Sequence, residues 1–201
     1  MHFKNFKFYI GNKVVLTLKN LNINSGINLI FGPSWSGKTT FLKLLYVLSY
    51  KKDPKKFLNN YINFCGDVKV DEEASFSFQE FNLIDELNVI DNFNLFLNNK
   101  WFLSNKLEDL LNYFEINKSI LNQKVSWLSW WEKARITFIL TRLKNKKLIL
   151  IDETDSFLNE ELKIKFYKFL QENANDKIFF FATHNKDAVN FLKPTTIIYF
   201  D

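Results

Sequence analysis

The chain has 201 residues, 47% of them hydrophobic and 24% charged, with a formal net charge of +5. That is ample apolar material for one core at the usual size of one domain. No run reaches the roughly eighteen uninterrupted apolar residues of a membrane-spanning helix, since even Phe41 to Tyr50 is broken by Lys43.

The start, Met1 to Lys7, lacks the apolar stretch and small-residue cleavage site of a secretory signal, so a cytosolic chain is expected. The positive charge does not indicate nucleic acid: Lys51-Lys52, Lys55-Lys56 and Lys144 to Lys147 are short runs scattered through mixed-charge sequence. The lone Cys65 cannot form an internal disulfide and is expected to be a small buried hydrophobe. Of the 27 basic residues only Arg135 and Arg142 are arginine, which with abundant Phe, Asn and Ile indicates an AT-rich genome. Glycine is scarce, at 5 residues, where average usage would give about fourteen.

No repeat or Pro/Gly-rich linker divides the chain, which reads as a single domain over residues 1–201. Apolar runs from Phe3 to Tyr9, Val14 to Leu18 and Ile27 to Phe31, broken by Gly11 and Asn24-Ser25-Gly26, predict strands. Helical spacing follows from Thr39 to Leu48, and a strand pair is predicted at Gly66 to Val70 and Phe76 to Gln79. From Leu87 to Leu121 the pattern is helical, with Leu107, Leu110, Leu111 and Phe114 on one face. Then come a strand at Leu148 to Ile151, a helix near Glu160 to Leu170, a strand at Ile178 to Ala182, a short helix and a final strand at Thr196 to Phe200. Strands alternating with helices imply an α/β fold with a mainly parallel sheet. N-terminal antiparallel strands and an inserted helical lobe, about residues 83–143, complete the expected architecture.

Between the apolar strand and the first helix lies Gly32-Pro33-Ser34-Trp35-Ser36-Gly37-Lys38-Thr39, followed by Thr40, which fits the phosphate-loop pattern in the context it requires. In such a loop the backbone N–H groups and the helix N-terminus point at nucleotide phosphates. Lys38 would reach the outer phosphates, and the Thr39 hydroxyl would take Mg²⁺. Leu148-Ile149-Leu150-Ile151-Asp152-Glu153 delivers two carboxylates at the end of a buried strand, where parallel sheets bind ligands. By itself an Asp-Glu pair there can be a helix cap. Paired with the phosphate loop, Asp152 is the candidate Mg²⁺ ligand and Glu153 the residue that orients and deprotonates water.

These residues resemble the ABC ATPase family, a P-loop NTPase fold, from about Phe3 to Phe200. Phe76 to Leu87 is similar to that family's Q-loop, which implies that Gln79 contacts Mg²⁺ and water and couples to a membrane subunit. The wording of this loop is most similar to lipoprotein-releasing and antimicrobial-peptide exporters. Charged residues there, Asp85 and Glu86, would belong to the permease-facing surface. Ala182-Thr183-His184-Asn185 is similar to the segment bearing the family's switch histidine, which implies that His184 contacts the γ-phosphate. Tyr9 stands about where the family stacks an aromatic on adenine, with core packing as the alternative in so Phe-rich a chain. Ser156-Phe157-Leu158-Asn159 resembles the dimer-contacting loop, with Asn159 in place of Asp and with Thr154 and Asp155 in place of the usual Pro and Thr.

The resemblance implies ATP and Mg²⁺ as ligands and ATP hydrolysis as the activity. It also implies a transmembrane permease as partner, homo- or heterodimerisation with a second such ATPase, no nucleic acid, and a peripheral position on the inner face of the cell membrane. Rival readings are a non-transport regulator, such as one of cell division, and an inactive partner subunit. Intact Glu153 and His184 argue against the latter for this chain's own half-site.

The family's signature reads Leu-Ser-Gly-Gly-Gln or Glu, and the aligned stretch here is Leu128-Ser129-Trp130-Trp131-Glu132. In ABC dimers this segment closes over the γ-phosphate held by the partner, so Ser129, Trp130, Trp131 and Glu132 are nucleotide-contact candidates with two indoles where glycine lets N–H groups approach. Trp35 likewise replaces a usual glycine of the phosphate loop. Three accounts stand: Trp127, Trp130 and Trp131 pack on a partner of a degenerate subunit; they stack on bases, which the adjacent sequence does not support; or these tryptophans are glycines encoded by a reassigned UGA codon. The third fits three such positions in a Gly-poor, AT-rich chain, with Trp127 a candidate fourth and Trp101 undecided.

Overall fold

The computed structural model describes residues 1–78, 81–98 and 105–200. Gln79 and Trp101 therefore lie outside the described residues. β1 (His2–Ile10) and β2 (Lys13–Asn22) form a hairpin, and β4 (Ile62–Lys69) pairs with the other edge of β1, giving an antiparallel sheet in the order β2-β1-β4. The second sheet is parallel throughout: β3 (Gly26–Phe31), β5 (Ala74–Ser77), β6 (Leu148–Asp152), β7 (Ile178–Thr183) and β8 (Thr196–Tyr199) in the order β5-β6-β7-β3-β8. Helices α1 (Lys38–Ser49), α2 (Pro54–Phe57), α3 (Val89–Leu97), α4 (Asn105–Tyr113), α5 (Trp130–Leu143), α6 (Glu160–Glu172) and α7 (Lys186–Leu192) complete it. Among the described residues no helix is long and apolar enough to cross a membrane.

The expected pair at residues 66–79 is split. β4 begins four residues earlier, at Ile62, and joins the antiparallel sheet, whereas β5 is an edge of the parallel one. Gly66 does not open the strand; it lies within it, opposite the bulge that Asn5 and Phe6 form in β1. Its φ is +88°, and a Cβ would sit 2.2 Å from the Asn5 carbonyl oxygen, so only glycine lets β4 pass β1 there.

The parallel strands are buried on both faces, as continuous apolar runs require. Alternation sends Leu29, Ile149, Ile151, Phe179 and Phe181 to one side, against α3 to α7, and Ile30, Leu148, Leu150, Phe180 and Ala182 to the other, against α1 and the Phe3, Phe6 and Phe8 side chains of β1. Phe179, Phe180 and Phe181 are all fully buried, each contributing about 1.5–3 kcal/mol of transfer free energy. β7 is thus a firm frame for whatever its C-terminal end carries. The α4 face predicted from Leu107, Leu110, Leu111 and Phe114 is the one that packs inward. α5 joins the inserted lobe to the sheet: its N-terminus is exposed, while its C-terminal half packs on β5, where the Thr141 hydroxyl donates to the Phe76 carbonyl at 3.2 Å.

Candidate active site

α1 starts at the residue after Gly37, whose φ of +104° turns the chain from loop to helix. The turn places the loop beside a cleft of about 530 Å³, the size of a small-ligand site. Its walls are Ser34, Trp35, Gly37, Lys38, Thr39 and Thr40 from the loop and first helical turn, Glu153 from the end of β6, and Ile10 from β1. The loop and the carboxylate strand, 112 residues apart in sequence from Thr40 to Asp152, meet because β3 and β6 both flank β7.

Lys38 is 3% exposed and turned inward. Its Nζ donates to the carbonyls of Gly32 at 2.9 Å and Pro33 at 2.7 Å and lies 3.2 Å from Glu153 Oε1. The same oxygen is 3.5 Å from His184 Nδ1, so one carboxylate oxygen touches both the loop lysine and the histidine at the end of β7. Glu153 itself holds a left-handed backbone, φ 46°. That conformation is unfavourable for a side chain of this size and persists only where its surroundings impose it. Here its N–H donates to the Ala182 carbonyl at 2.9 Å and its carbonyl accepts from the Ser156 N–H at 3.0 Å.

Asp152 is fully buried, and neither carboxylate oxygen accepts a hydrogen bond. Its carboxyl is pushed up to about 6, chiefly by burial and also by the neighbouring Glu153, against the opposing pull of Thr39, Lys38 and Lys43. The Thr39 hydroxyl lies close enough to exert that pull without reaching hydrogen-bond geometry. A buried, unpartnered carboxylate beside a hydroxyl is a donor set suited to a hard divalent cation, so the residues present fit Mg²⁺. Because the folded value lies above 3.8, the folded chain binds more protons than the unfolded one between about pH 4 and 6, and Asp152 withdraws stability as pH rises through that window. Asp152→Asn is therefore expected to flatten the fall in melting temperature of the ligand-free protein over that range. An unchanged slope would mean that Asp152 is not the group titrating.

The structure parts other candidates from the cleft. Tyr9 does not line it; its hydroxyl stands 3.6 Å from Cys65 Sγ, and Ile10 is the β1 side chain at the loop. Strand alternation explains this placement, since Ile10 shares the inward phase of Phe6 and Phe8 and Tyr9 takes the other. Cys65, expected to be buried, is exposed beside Tyr9. Ser36 is buried with an unpartnered hydroxyl, and Gly32 and Pro33 meet the lysine through their carbonyls.

Ser129, Trp130, Trp131 and Glu132 are not in this chain's cleft but at the N-terminus of α5. Ser129 caps that helix: its Oγ accepts from the Glu132 N–H at 3.3 Å, and Glu132 Oε2 accepts from the Ser129 N–H at 2.9 Å. Trp130 stacks on Phe157 and meets Phe81, yet it remains 64% exposed, beside Trp127 at 74% and Trp131 at 49%. Trp35, at the lip of the cleft, is wholly exposed with φ 66°. Asp85 forms an ion pair with Lys133 of α5 at 2.8 Å, which sequence gave no means of foreseeing.

The family model described as "ABC transporter" matches residues 17–156. Among curated proteins, the tungstate uptake system ATP-binding protein of Campylobacter jejuni is 29% identical over 194 residues, covering 94% of this chain and 58% of that one. The lipoprotein-releasing system ATP-binding protein of Ehrlichia ruminantium is 28% identical over 181 residues, covering 83% and 78%. The chain thus spans little more than half of the first relative's length. Among solved structures, the dimeric post-hydrolysis state of the ATP-binding cassette MJ0796, bound to ADP and Pi, superposes with a TM-score of 0.73 at 24% identity over 100% of this chain and 94% of that one. That likeness establishes the P-loop cassette fold, and with a family model covering more than half of its residues the chain belongs to the ABC transporter family.

Proposed function

We propose that the chain is the ATP-binding and ATP-hydrolysing subunit of a membrane transporter, working as a dimer beneath a separate permease. The observation that carries this reading is Asp152, buried with two unpartnered oxygens next to Glu153, which lines the loop-walled cleft and there contacts Lys38. Thr39 and Asp152 would hold a magnesium ion, with Gln79 as a third candidate, and its charge would offset that developing on the phosphate oxygens. Loop N–H groups and Ser34, Ser36 and Thr40 would surround the phosphates. Lys38 would exchange its two carbonyl acceptors and Glu153 for phosphate oxygens, releasing Glu153 Oε1 to accept a proton from water. His184, at 3.5 Å from that oxygen, would hold the carboxylate or the terminal phosphate by a hydrogen bond.

Membrane association and the permease are supported by the relatives' printed roles in tungstate uptake and lipoprotein release. The Q-loop region, with exposed Glu86, is the surface we assign to the permease. Asp85 is the weaker contact candidate, because Lys133 already occupies it.

Nucleotide retention tests the core of the proposal. Lys38→Ala removes the one loop cation and leaves Glu153 without its lysine, and the dissociation constant of Mg-ATP is expected to rise roughly a hundredfold, the usual cost of truncating one member of a buried charge pair. Unchanged affinity, measured by calorimetry, would remove the phosphate-loop assignment.

A further inference from the structure

Glu153 and His184 arrive from different strands, and their 3.5 Å contact depends on how the two strand ends are held. Two residues after Glu153, in the short 3-10 turn Thr154–Phe157, lies Asp155, which is 1% exposed. Its Oδ2 accepts from the Tyr167 hydroxyl of α6 at 2.7 Å and from the Thr183 hydroxyl of β7 at 2.9 Å. Thr183 Oγ1 in turn accepts from the Asn185 N–H at 3.0 Å, and the Asn185 amide donates to the Tyr167 oxygen at 3.3 Å while its own oxygen caps α7 through the Asp187 N–H. His184 is therefore flanked on both sides by residues bound to one buried network, and that network is anchored on the turn that carries Glu153.

A buried carboxylate is costly, and this one is only half satisfied, since Oδ1 accepts nothing. Burial raises the Asp155 carboxyl, and the Tyr167 and Thr183 hydroxyls draw it back. Tyr167 is raised far above its usual range by its own burial and by Asp155, so it stays a hydrogen donor throughout the physiological range.

We propose that Asp155 is a positioning residue for the reaction: with Thr183, Tyr167 and Asn185 it locks the end of β7 onto the Glu153 turn and so sets the distance between His184 and Glu153. The proposal rests on the reading of Glu153 and His184 as the groups that act on ATP. Asp155 itself does not line the cleft, so it acts through the placement of its neighbours, with its charge also felt by His184.

Thr183→Val tests this with little change of shape, because it replaces the hydroxyl that joins Asp155 to Asn185 by a methyl group on a fully buried strand. A displaced catalytic pair is expected to lower kcat roughly tenfold to a hundredfold while the KM for ATP stays within about a factor of two. Thr183→Ser, which restores the hydroxyl, should return kcat toward wild type, and Tyr167→Phe should lower it by the same route. A readout independent of turnover comes from NMR: the chain has 2 histidines, and in Thr183→Val the His184 imidazole resonances should shift while those of His2 do not. A folded Thr183→Val protein with wild-type kcat and unmoved His184 resonances would overturn the proposal. Glu153→Gln separates the two levels: if that variant turns over at the wild-type rate, the assignment of Glu153 fails; if its turnover collapses while Thr183→Val is fully active, only the positioning network fails.

Discussion

Glu153→Gln is expected to lower ATP turnover by roughly 10²–10⁴, the contribution of a positioned general base, while ATP binding persists. The amide has the shape of the carboxylate but cannot take a proton from water. It also removes the charge that holds Lys38 at 3.2 Å inside the loop, so the lysine is freer to meet phosphate and affinity should hold or increase. Binding without hydrolysis should accumulate a nucleotide-bound dimer, visible by size-exclusion chromatography with ATP. Hydrolysis at the wild-type rate would show that Glu153 is not the base.

The second large effect is expected at the tryptophans. A bulky residue in the left-handed region costs about 1–2 kcal/mol, and Trp35 holds φ 66° with its whole side chain in solvent, so no packing offsets the strain. Trp35→Gly should then raise the melting temperature by about 2–4 °C, the shift that about 1 kcal/mol gives a chain of this length. At α5, exposed Trp130 and Trp131 are the first two residues of the helix, and their indoles stand at the end whose N–H groups the proposed dimer needs to bring against a partner's phosphate. Trp130→Gly with Trp131→Gly should raise turnover of the dimer by about a hundredfold, the scale of backbone donors aimed at developing oxyanion charge.

If all three are glycine in the cell, the gene carries UGA at these codons and the native peptides have glycine masses. UGG codons or tryptophan masses would instead make this chain one half of a heterodimer, its Lys38 and Glu153 serving only against a partner's intact signature. Failure of the double substitution to raise turnover, with folding and ATP binding intact, would remove the steric account of the signature.

Much of the site was legible because its residue types are constrained by chemistry at short range. An apolar strand, a turn at Gly37 and a lysine opening a helix are neighbours in sequence, and so are the buried strand β6 and its two carboxylates. What sequence hid lay across elements. Nothing in Ile62 to Cys65 announces which sheet β4 joins, and Gly66 reads as a strand boundary when it lies inside β4, opposite the β1 bulge at Asn5. Tyr9 attracted attention as an aromatic, although the Phe6, Phe8, Ile10 phase already pointed to Ile10. Asp155 stood out only as an unexpected residue type; its partners Tyr167 and Thr183 are 12 and 28 residues away and meet it through packing alone.

The parallel sheet divides the interior into two apolar compartments, and neighbouring residues of a single strand belong to different ones: Phe180 and Ala182 to the side of α1, Phe179 and Phe181 to the side of the inserted lobe. β7 is thus a party wall, and the phosphate loop, Glu153 and His184 all sit along its upper edge. The compartment holding α3 and α4 packs Phe179 and Phe181 on one face of that wall, and the compartment that supports the loop packs Phe180 and Ala182 on the other. In the proposed transporter subunit, such a shared wall would let a shift of the lobe's helices press on one face of the strands whose ends carry the loop, Glu153 and His184.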